Sequence, residues 1–404
     1  MILASEDILT VALDLCNQIT PPFRISSLEM DDNKWVLISD DTLKCLEKDN
    51  VQIFLRMVLQ ANSRIIPRGL QSEILMAHLS MLAPKLPLDL VPIIEAGLNG
   101  RIETIDSLRS KLEHALELTR DRSMHNKMDR LHWDIGFDTH IGQRKSKFSQ
   151  TNQDNFFFAI QDQVALFAVA DGISTSTAGS GDLASRITVA IIDKFWNESS
   201  GKYKDMDDQE IQSHLYTMME TINYNICEFA KTQTEKPIEQ EIPMGTTLVI
   251  GIARGSKVIM ANLGDSRIYG VLESGLAQIT GDQNVRGTKL RFHQPQWNSR
   301  DGAALVGHLG RFVPNENREW IDDMPHPDFF TLNLLPGEGL LFCSDGVTDY
   351  ISNNYHTTHQ ELKTICDQDN PMAICWDLTR KANQGGGGDN ITSIFTRLGS
   401  IDLA

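Results

Sequence analysis

The sequence predicts an α+β fold preceded by a mainly α-helical domain, and a change of texture along the chain predicts it. Up to about residue 130, apolar side chains recur at helical spacing. From about Trp133 they gather instead in short runs of branched and aromatic residues, broken by Asp-Gly, Gly-Asp and Asn. Several runs arrive as adjacent pairs with tight connections, which favours hairpins and antiparallel sheets over a doubly wound alternation. The 404 residues therefore divide into domains at 1–130 and 131–404.

In the first domain, SEDILTVALDLCNQI, DNVQIFLRMVLQANSRI, GLQSEILMAHLSMLA and ETIDSLRSKLEHALELTRD read as helices, often behind a Ser, Asp or Thr cap. KWVLISD is the one short strand expected among them. Pro21, Pro22, Pro84 and Pro87 punctuate the region, and the charged stretch ELTRDRSMHNKMDR closes it. In the second domain NFFFAI, QVALFAVA, TTLVIGIA, KVIMANL, SRIYGVL, GLLFCSD and NITSIFTRL are expected as strands. Longer amphipathic helices are expected over about 180–198, 207–232 and 371–383.

Composition narrows the function. With 41% hydrophobic and 23% charged residues the chain is an ordinary globular one. Its formal net charge of −17 repels phosphate backbones and anionic lipid, which argues against nucleic-acid or membrane partners and against a nuclease. Cys16, Cys45, Cys227, Cys343, Cys366 and Cys375 are scattered, without zinc spacing, and are expected as reduced thiols. Glu6 and Asp7 stand where a signal peptide needs cations, and no apolar run reaches membrane-spanning length. A cytoplasmic protein is the expectation.

The chemistry lies in the strand ends. AVADGI and LFCSDG each stop a buried run on Asp-Gly. Either pair alone reads as a turn. Taken together, however, Asp154 precedes a strand, Asp171 and Asp345 end strands, Asp265 joins two, and Asp389 opens the last. Hard cations such as Mg²⁺ and Mn²⁺ take oxygen ligands from a few carboxylates on rigid elements. A neighbouring glycine leaves room for a backbone carbonyl to turn toward the ion.

The ordered blocks NQD, ADGI with GSGDLAS, MGTTLVI, ANLGDSRIYGV, LLFCSDGVTDYI and GGGGDNIT resemble the type 2C metal-dependent protein serine/threonine phosphatases (the PPM family) in their bacterial form, over about residues 133–398. The resemblance implies a four-layer α-β-β-α sandwich and two or three Mn²⁺ or Mg²⁺ ions. It also implies hydrolysis of phosphoserine or phosphothreonine in a phosphorylated protein by a metal-bound hydroxide. Asp171 matches the carboxylate that bridges both ions, Gly172 the glycine whose carbonyl binds one, and Asp345 and Asp389 the remaining direct ligands. Asp154 matches the acid that acts through a metal-bound water, and Asp265 the ligand of a third ion. Thr246, Thr247 and Asn390 are expected to support or pack, and Asp349 to act as a structural cap.

Two departures accompany the match. Ser149 stands at the spacing of the family's phosphate-binding arginine; Arg144 is the candidate in its place, with Lys145 or Lys147 as alternatives. No histidine follows the first Asp-Gly, as in bacterial relatives. Residues 282–327 hold the place of the family's flap, where Arg286, Lys289, Arg291 and Arg300 are either a phosphoprotein-binding lip or solvated loop charge. Within residues 1–130, VALDLCNQITPPFRISSLEMDDNKWVLISDD and LPLDLVPIIEAGLNGRIETIDSLRSKLEHAL are similar to parts of a protein-kinase C-lobe, without its catalytic Asp, magnesium-binding Asn or ATP lysine. A regulatory or docking module, plain helical or a degenerate kinase C-lobe, is expected there, without ATP binding. The leading reading is a phosphatase of bacterial signalling, with a cognate Ser/Thr kinase as a candidate partner. The alternative is a pseudophosphatase that binds phosphoproteins without turnover.

Overall fold

The computed structural model describes residues 5–19, 23–31, 34–44, 46–62, 70–124, 131–233, 241–292, 302, 304–314 and 320–400. Cys45, Arg300, Pro21 and Pro22 lie outside the described residues, as does 125–130, where the sequence predicts the domain boundary.

The N-terminal region is helical with one hairpin. Helix α1 (Ser5–Cys16) is followed by the antiparallel strands β1 (Phe23–Asp31) and β2 (Lys34–Lys44). Then come α2 (Glu47–Asn62), α3 (Ser72–Ala77), α4 (Leu79–Leu82), α5 (Val91–Leu98) and the long α6 (Ile105–Met124). The expected strand KWVLISD is β2; its partner β1 carried no clear sequence signal.

Two five-stranded antiparallel sheets follow. The first is ordered β12 (Asp328–Asn333), β7 (Lys257–Leu263), β6 (Leu248–Arg254), β5 (Val164–Asp171), β4 (Asp154–Gln161). The second is ordered β3 (Leu131–His140), β14 (Ile391–Ser400), β13 (Gly339–Cys343), β8 (Arg267–Leu272), β9 (Gly275–Gln278). Between β9 and β12 lie helix α9 (Val285–Arg291) and a small hairpin of β10 (Phe312–Pro314) and β11 (Trp320–Asp322).

Alternation along the strands builds the layers. On β5, Ala165, Phe167 and Val169 face the core between the sheets, where Phe342 of β13 and Ile394 of β14 meet them. Val164, Leu166, Ala168 and Ala170 face outward, under helices α7 (Gly181–Ser199) and α8 (Asp208–Gln233). The outer face of the second sheet is covered by α11 (Tyr355–Cys366) and α12 (Pro371–Gln384), which follow the single-turn α10 (Asp345–Thr348). This is the four-layer α-β-β-α sandwich. Helix starts follow ordinary capping chemistry: Asp207 and Glu210 exchange bonds at the head of α8, and the Asn370 side chain accepts from Met372 N at 2.9 Å before Pro371 opens α12.

The N-terminal helices are not a separate core. Leu9, Phe54, Leu90 and Leu112 belong to the same buried cluster as Phe167, Phe342 and Ile394. They cover β9, the edge of the second sheet, with α5 and α11 packed against it. Among the described residues no helix is long and apolar enough to cross a membrane. Five cysteines, Cys16, Cys227, Cys343, Cys366 and Cys375, are buried and free.

Candidate metal and phosphate centre

Antiparallel pairing brings alternate starts and ends of strands to the same end of a sheet. In the first sheet, Asp154 at the start of β4 stands directly opposite Asp171 at the end of β5. Asp265 follows β7 on that same end. In the second sheet Asp345 follows β13, while Asp389 and Asn390 precede β14. The two are drawn together by close backbone packing: a Cβ on Gly346 would collide with the Asn390 carbonyl, so only glycine lets α10 start against β14. The sheets are tied across by Ser344, whose hydroxyl donates to Asp154 Oδ2 at 2.8 Å, and by Gln153, whose N–H donates to Asn390 Oδ1 at 3.0 Å.

The backbone around Asp171 is fixed separately from its carboxyl group. Its N–H donates to Thr247 Oγ1 at 3.1 Å, and its carbonyl accepts from Thr246 Oγ1 at 2.8 Å. Thr247 in turn bonds the Ser266 hydroxyl at 2.7 Å. Gly172 lies against Gly181 at the head of α7, where any side chain on it would strike the Gly181 carbonyl.

The carboxyl groups feel one another strongly. Burial pushes the Asp171 pKa well above the usual carboxylate range, and the charges of Asp154, Asp345, Asp389 and Asp265 push it further. Asp345 is raised by burial and then by Asp265, Asp349, Asp389 and Asp154. Burial raises Asp154 to about 6, against the hydrogen bonds of Thr392 and Ser344. It raises Asp265 to about 7, with Asp282 adding and Arg267 opposing. Among the described residues no three of these side chains close tightly enough to ligate one ion as they stand; the acids share a field without forming a cage. Asp154 Oδ1 is buried with no hydrogen-bond partner. Mutually raised carboxyls and an orphaned buried oxygen are what a divalent cation resolves, since its charge inverts the local pKa logic. The residues present therefore fit hard-cation binding.

The basic residues expected to bind phosphate take different places in their loop. Arg144 donates its backbone N–H to the Gly387 carbonyl at 2.9 Å, as does Lys145 at 3.1 Å, and the turn carries Lys145 inward. Lys145 Nζ bonds Asp389 Oδ1 and, at 2.8 Å, Asn390 Oδ1, while the Arg144 side chain is exposed and makes no such contact among the described residues. Gly142 enables the approach: at φ +91° it lies flat against the Asp389 carbonyl. Lys145, one of the alternatives, thus brings its ammonium onto Asp389 and Asn390 at the acidic centre. Asp349 stands at the C-terminal end of α10, its carboxyl raised by burial and pulled down by Arg267. In the flap segment, Arg291 pairs with Asp328 at 2.6 Å.

Sequence reasoning passed over one further pair. Arg267 grips Asp282 through two bonds of 2.8 Å, Nε to Oδ1 and Nη2 to Oδ2, with Asp282 buried and Arg267 mostly so. Burial works against the Asp282 charge, but Arg267 overcomes it and holds Asp282 below the usual range. GDSR and ITGDQN carry both residues, yet nothing local says that they meet.

The profile of the protein phosphatase 2C family matches residues 141–372, more than half of the chain. The chain belongs to the protein phosphatase 2C family. The serine/threonine phosphatase stp of Listeria welshimeri is 28% identical over 253 residues, which span 62% of this chain and 92% of the relative. The serine/threonine phosphatase of S. agalactiae shares 25% identity at a TM-score of 0.52, over 66% of this chain and 99% of that one. The catalytic domain of the protein phosphatase PstP, solved with 2 manganese ions, shares the fold at 20% identity and a TM-score of 0.51, over 67% of this chain and 100% of its own. Such protein phosphatase 2C domains are matched nearly whole by two thirds of this chain, so the N-terminal helical region is an addition to the family domain.

Proposed function

We propose that this member of the family is a metal-dependent protein serine/threonine phosphatase, hydrolysing phosphoserine and phosphothreonine in protein substrates. The observation that carries the reading is the set of carboxyls gathered from distant strand ends, with Asp171 and Asp345 raised by burial and by the acids around them, beside an orphaned Asp154 oxygen. Asp171, Asp345 and Asp389 would hold the divalent ions directly, with the Gly172 carbonyl beside Asp171. Asp154 would act through water and Asp265 would serve a third, looser ion. When bound, two Mn²⁺ or Mg²⁺ ions supply the activated water and neutralise the phosphoryl charge. The manganese in the PstP catalytic domain supports that assignment.

The chain's own part is positional. Thr246 and Thr247 hold the Asp171 backbone, and Asn390 ties the Gln153 and Ile141 segments together, so Asp171 is placed without help from its own side chain. Lys145 already sits on two anionic or polar acceptors, and a substrate phosphate is a further anion within its reach. We assign it the phosphate-binding role in place of Arg144.

The test is turnover of para-nitrophenyl phosphate and of a phosphothreonine peptide by the full chain. Hydrolysis is expected with Mn²⁺, lost in EDTA and restored by added metal. Phosphopeptide binding without turnover in any metal would favour the pseudophosphatase instead. Lys145→Ala is expected to raise KM by roughly tenfold or more, since a hydrogen bond to a charged group carries ~1.5–3 kcal/mol, with kcat affected less. Arg144→Ala is expected to leave KM within about twofold, as a solvated loop charge would; equal effects of the two would refute the assignment.

A further inference from the structure

The seam between the N-terminal helices and the sandwich reaches the acidic centre from behind. Strand β9 ends at Gln278, whose Nε2 donates to the Ala77 carbonyl at 3.1 Å, at the junction of α3 and α4. The chain then runs through Gly281 and Asp282 to helix α9. A Cβ on Gly281 would strike the Met81 side chain, so α4 lies directly on this stretch. Asp282 is 6% exposed and holds Arg267 by its two 2.8 Å bonds. Arg267 lies two residues from Asp265.

His78 stands behind Asp282. It is 1% exposed, and its Nδ1 has no hydrogen-bond partner. That nitrogen and the Asp282 carbonyl together fill the space where a Gly287 side chain would stand, with Nδ1 3.3 Å from the Cβ position. Burial lowers its pKa to about 4, so the imidazole is neutral and acts by shape rather than by charge. An unpartnered buried nitrogen is destabilising, a penalty that an apolar residue of similar size would avoid. The chain bears that cost where the ring sits beside Gly287 and the Asp282 carbonyl, at the root of the flap.

We infer that His78 is a positioning residue for the phosphatase centre: with Met81 it fixes Gly281–Gly287, and through the Asp282–Arg267 pair it sets the Asp265 side of the acidic cluster. The added N-terminal region thus completes the site from its outer shell, as second-layer groups do for metal ligands. The inference rests on the reading of the acids as metal ligands.

Its test compares full-chain variants by calorimetric Mn²⁺ titration, by Mn²⁺ activation of para-nitrophenyl phosphate hydrolysis and by melting temperature. His78→Ala is expected to weaken Mn²⁺ binding about tenfold, the usual scale for loss of an outer-shell support. His78→Phe, which keeps a ring in place, is expected to recover most of that loss. Glu73→Gln is the control, because Glu73 contacts Asn354 on the same seam but away from the acids; it is expected to leave Mn²⁺ binding unmoved. If His78→Ala does not fold, Met81→Ala probes the same contact with a flexible side chain. Lower melting temperature with unmoved Mn²⁺ binding in the folded variant would reduce His78 to packing and overturn the inference alone. A wild-type chain that binds no Mn²⁺ would overturn the functional reading and this inference with it.

Discussion

Asp171→Asn is expected to lower phosphatase turnover by about 10³-fold or more, because it removes the one carboxyl assigned to both ions of the centre. The substitution is nearly isosteric, and the bonds that hold residue 171 in place run to its backbone, from Thr246 Oγ1 and to Thr247 Oγ1. The fold should therefore survive. In EDTA the variant should melt higher than wild type. Asp154, Asp171, Asp265 and Asp345 have raised folded-state pKa values, so above the ordinary carboxylate range their charge opposes folding, most fully above about 6 for Asp154 and about 7 for Asp265. Replacing one charge by an amide relieves that repulsion. The gain should be largest above neutral pH and shrink as the pH falls and the wild-type acids take up protons. Turnover that persists in Asp171→Asn, or a melting temperature that falls in EDTA at every pH, would contradict the assignment.

The acidic centre was legible because strand ends carry their own marks. A run such as QVALFAVA can be buried on both faces, and the Asp-Gly that follows has to lie at its tip. With antiparallel pairing, marks on alternate ends converge, as Asp154 and Asp171 do across β4 and β5. What was not legible is which cation enters. Arg144, Lys145 and Lys147 are neighbours in one loop, and the choice is made by the Gly387 carbonyl, far away in sequence, which accepts from both Arg144 and Lys145 and turns the loop. The local shape at Asp345 was also hidden. Asp-Gly reads as a turn, but Ser344 lies at the head of a one-turn helix whose first residue is Asp345.

The fold was read best where burial is one-sided or complete. Helix α11 escaped because YHTTHQELKTIC is largely polar, and its buried face is made of Thr358, His359, Leu362 and Ile365 rather than a clear apolar stripe. The N-terminal region escaped more thoroughly. Its helices were visible from spacing, but no local pattern announces that their apolar faces join the inter-sheet core or that their polar residues reach across to α11. Glu73 with Asn354, and Ser72 and Asn99 with His356, are partners more than 250 residues apart. Distant pairings of this kind leave no period in the sequence.

The strongest of these distant pairings yields the second large effect, on stability. Arg122, on the last turn of α6, is buried and bonds both Asp89 and Glu338. Nη2 reaches Asp89 Oδ1 at 2.8 Å and Glu338 Oε1 at 2.6 Å, and Nε reaches Asp89 Oδ2 at 3.0 Å. Burial works against the guanidinium charge, yet Glu338 and Asp89 outweigh it and hold its pKa above the ordinary value. Arg122→Met is expected to cost about 3–5 kcal/mol, because it strands two buried carboxylates rather than removing a pair. At the low end of ~2–4 °C per kcal/mol, the melting temperature should drop by roughly 5–10 °C. Removing all three charges should not restore it. Asp89 also accepts from Ser274 Oγ at 2.8 Å, and Glu338 from the N–H groups of Glu273 and Leu335 at 2.8 Å each, so apolar replacements leave those donors unpaired. Because the core is continuous from Phe54 to Phe342, the loss should appear as one shifted transition of the whole chain. Two separate transitions in the wild type, with only the first displaced by Arg122→Met, would mean that the N-terminal helices fold as a unit of their own and that the seam is a contact between neighbours rather than one interior.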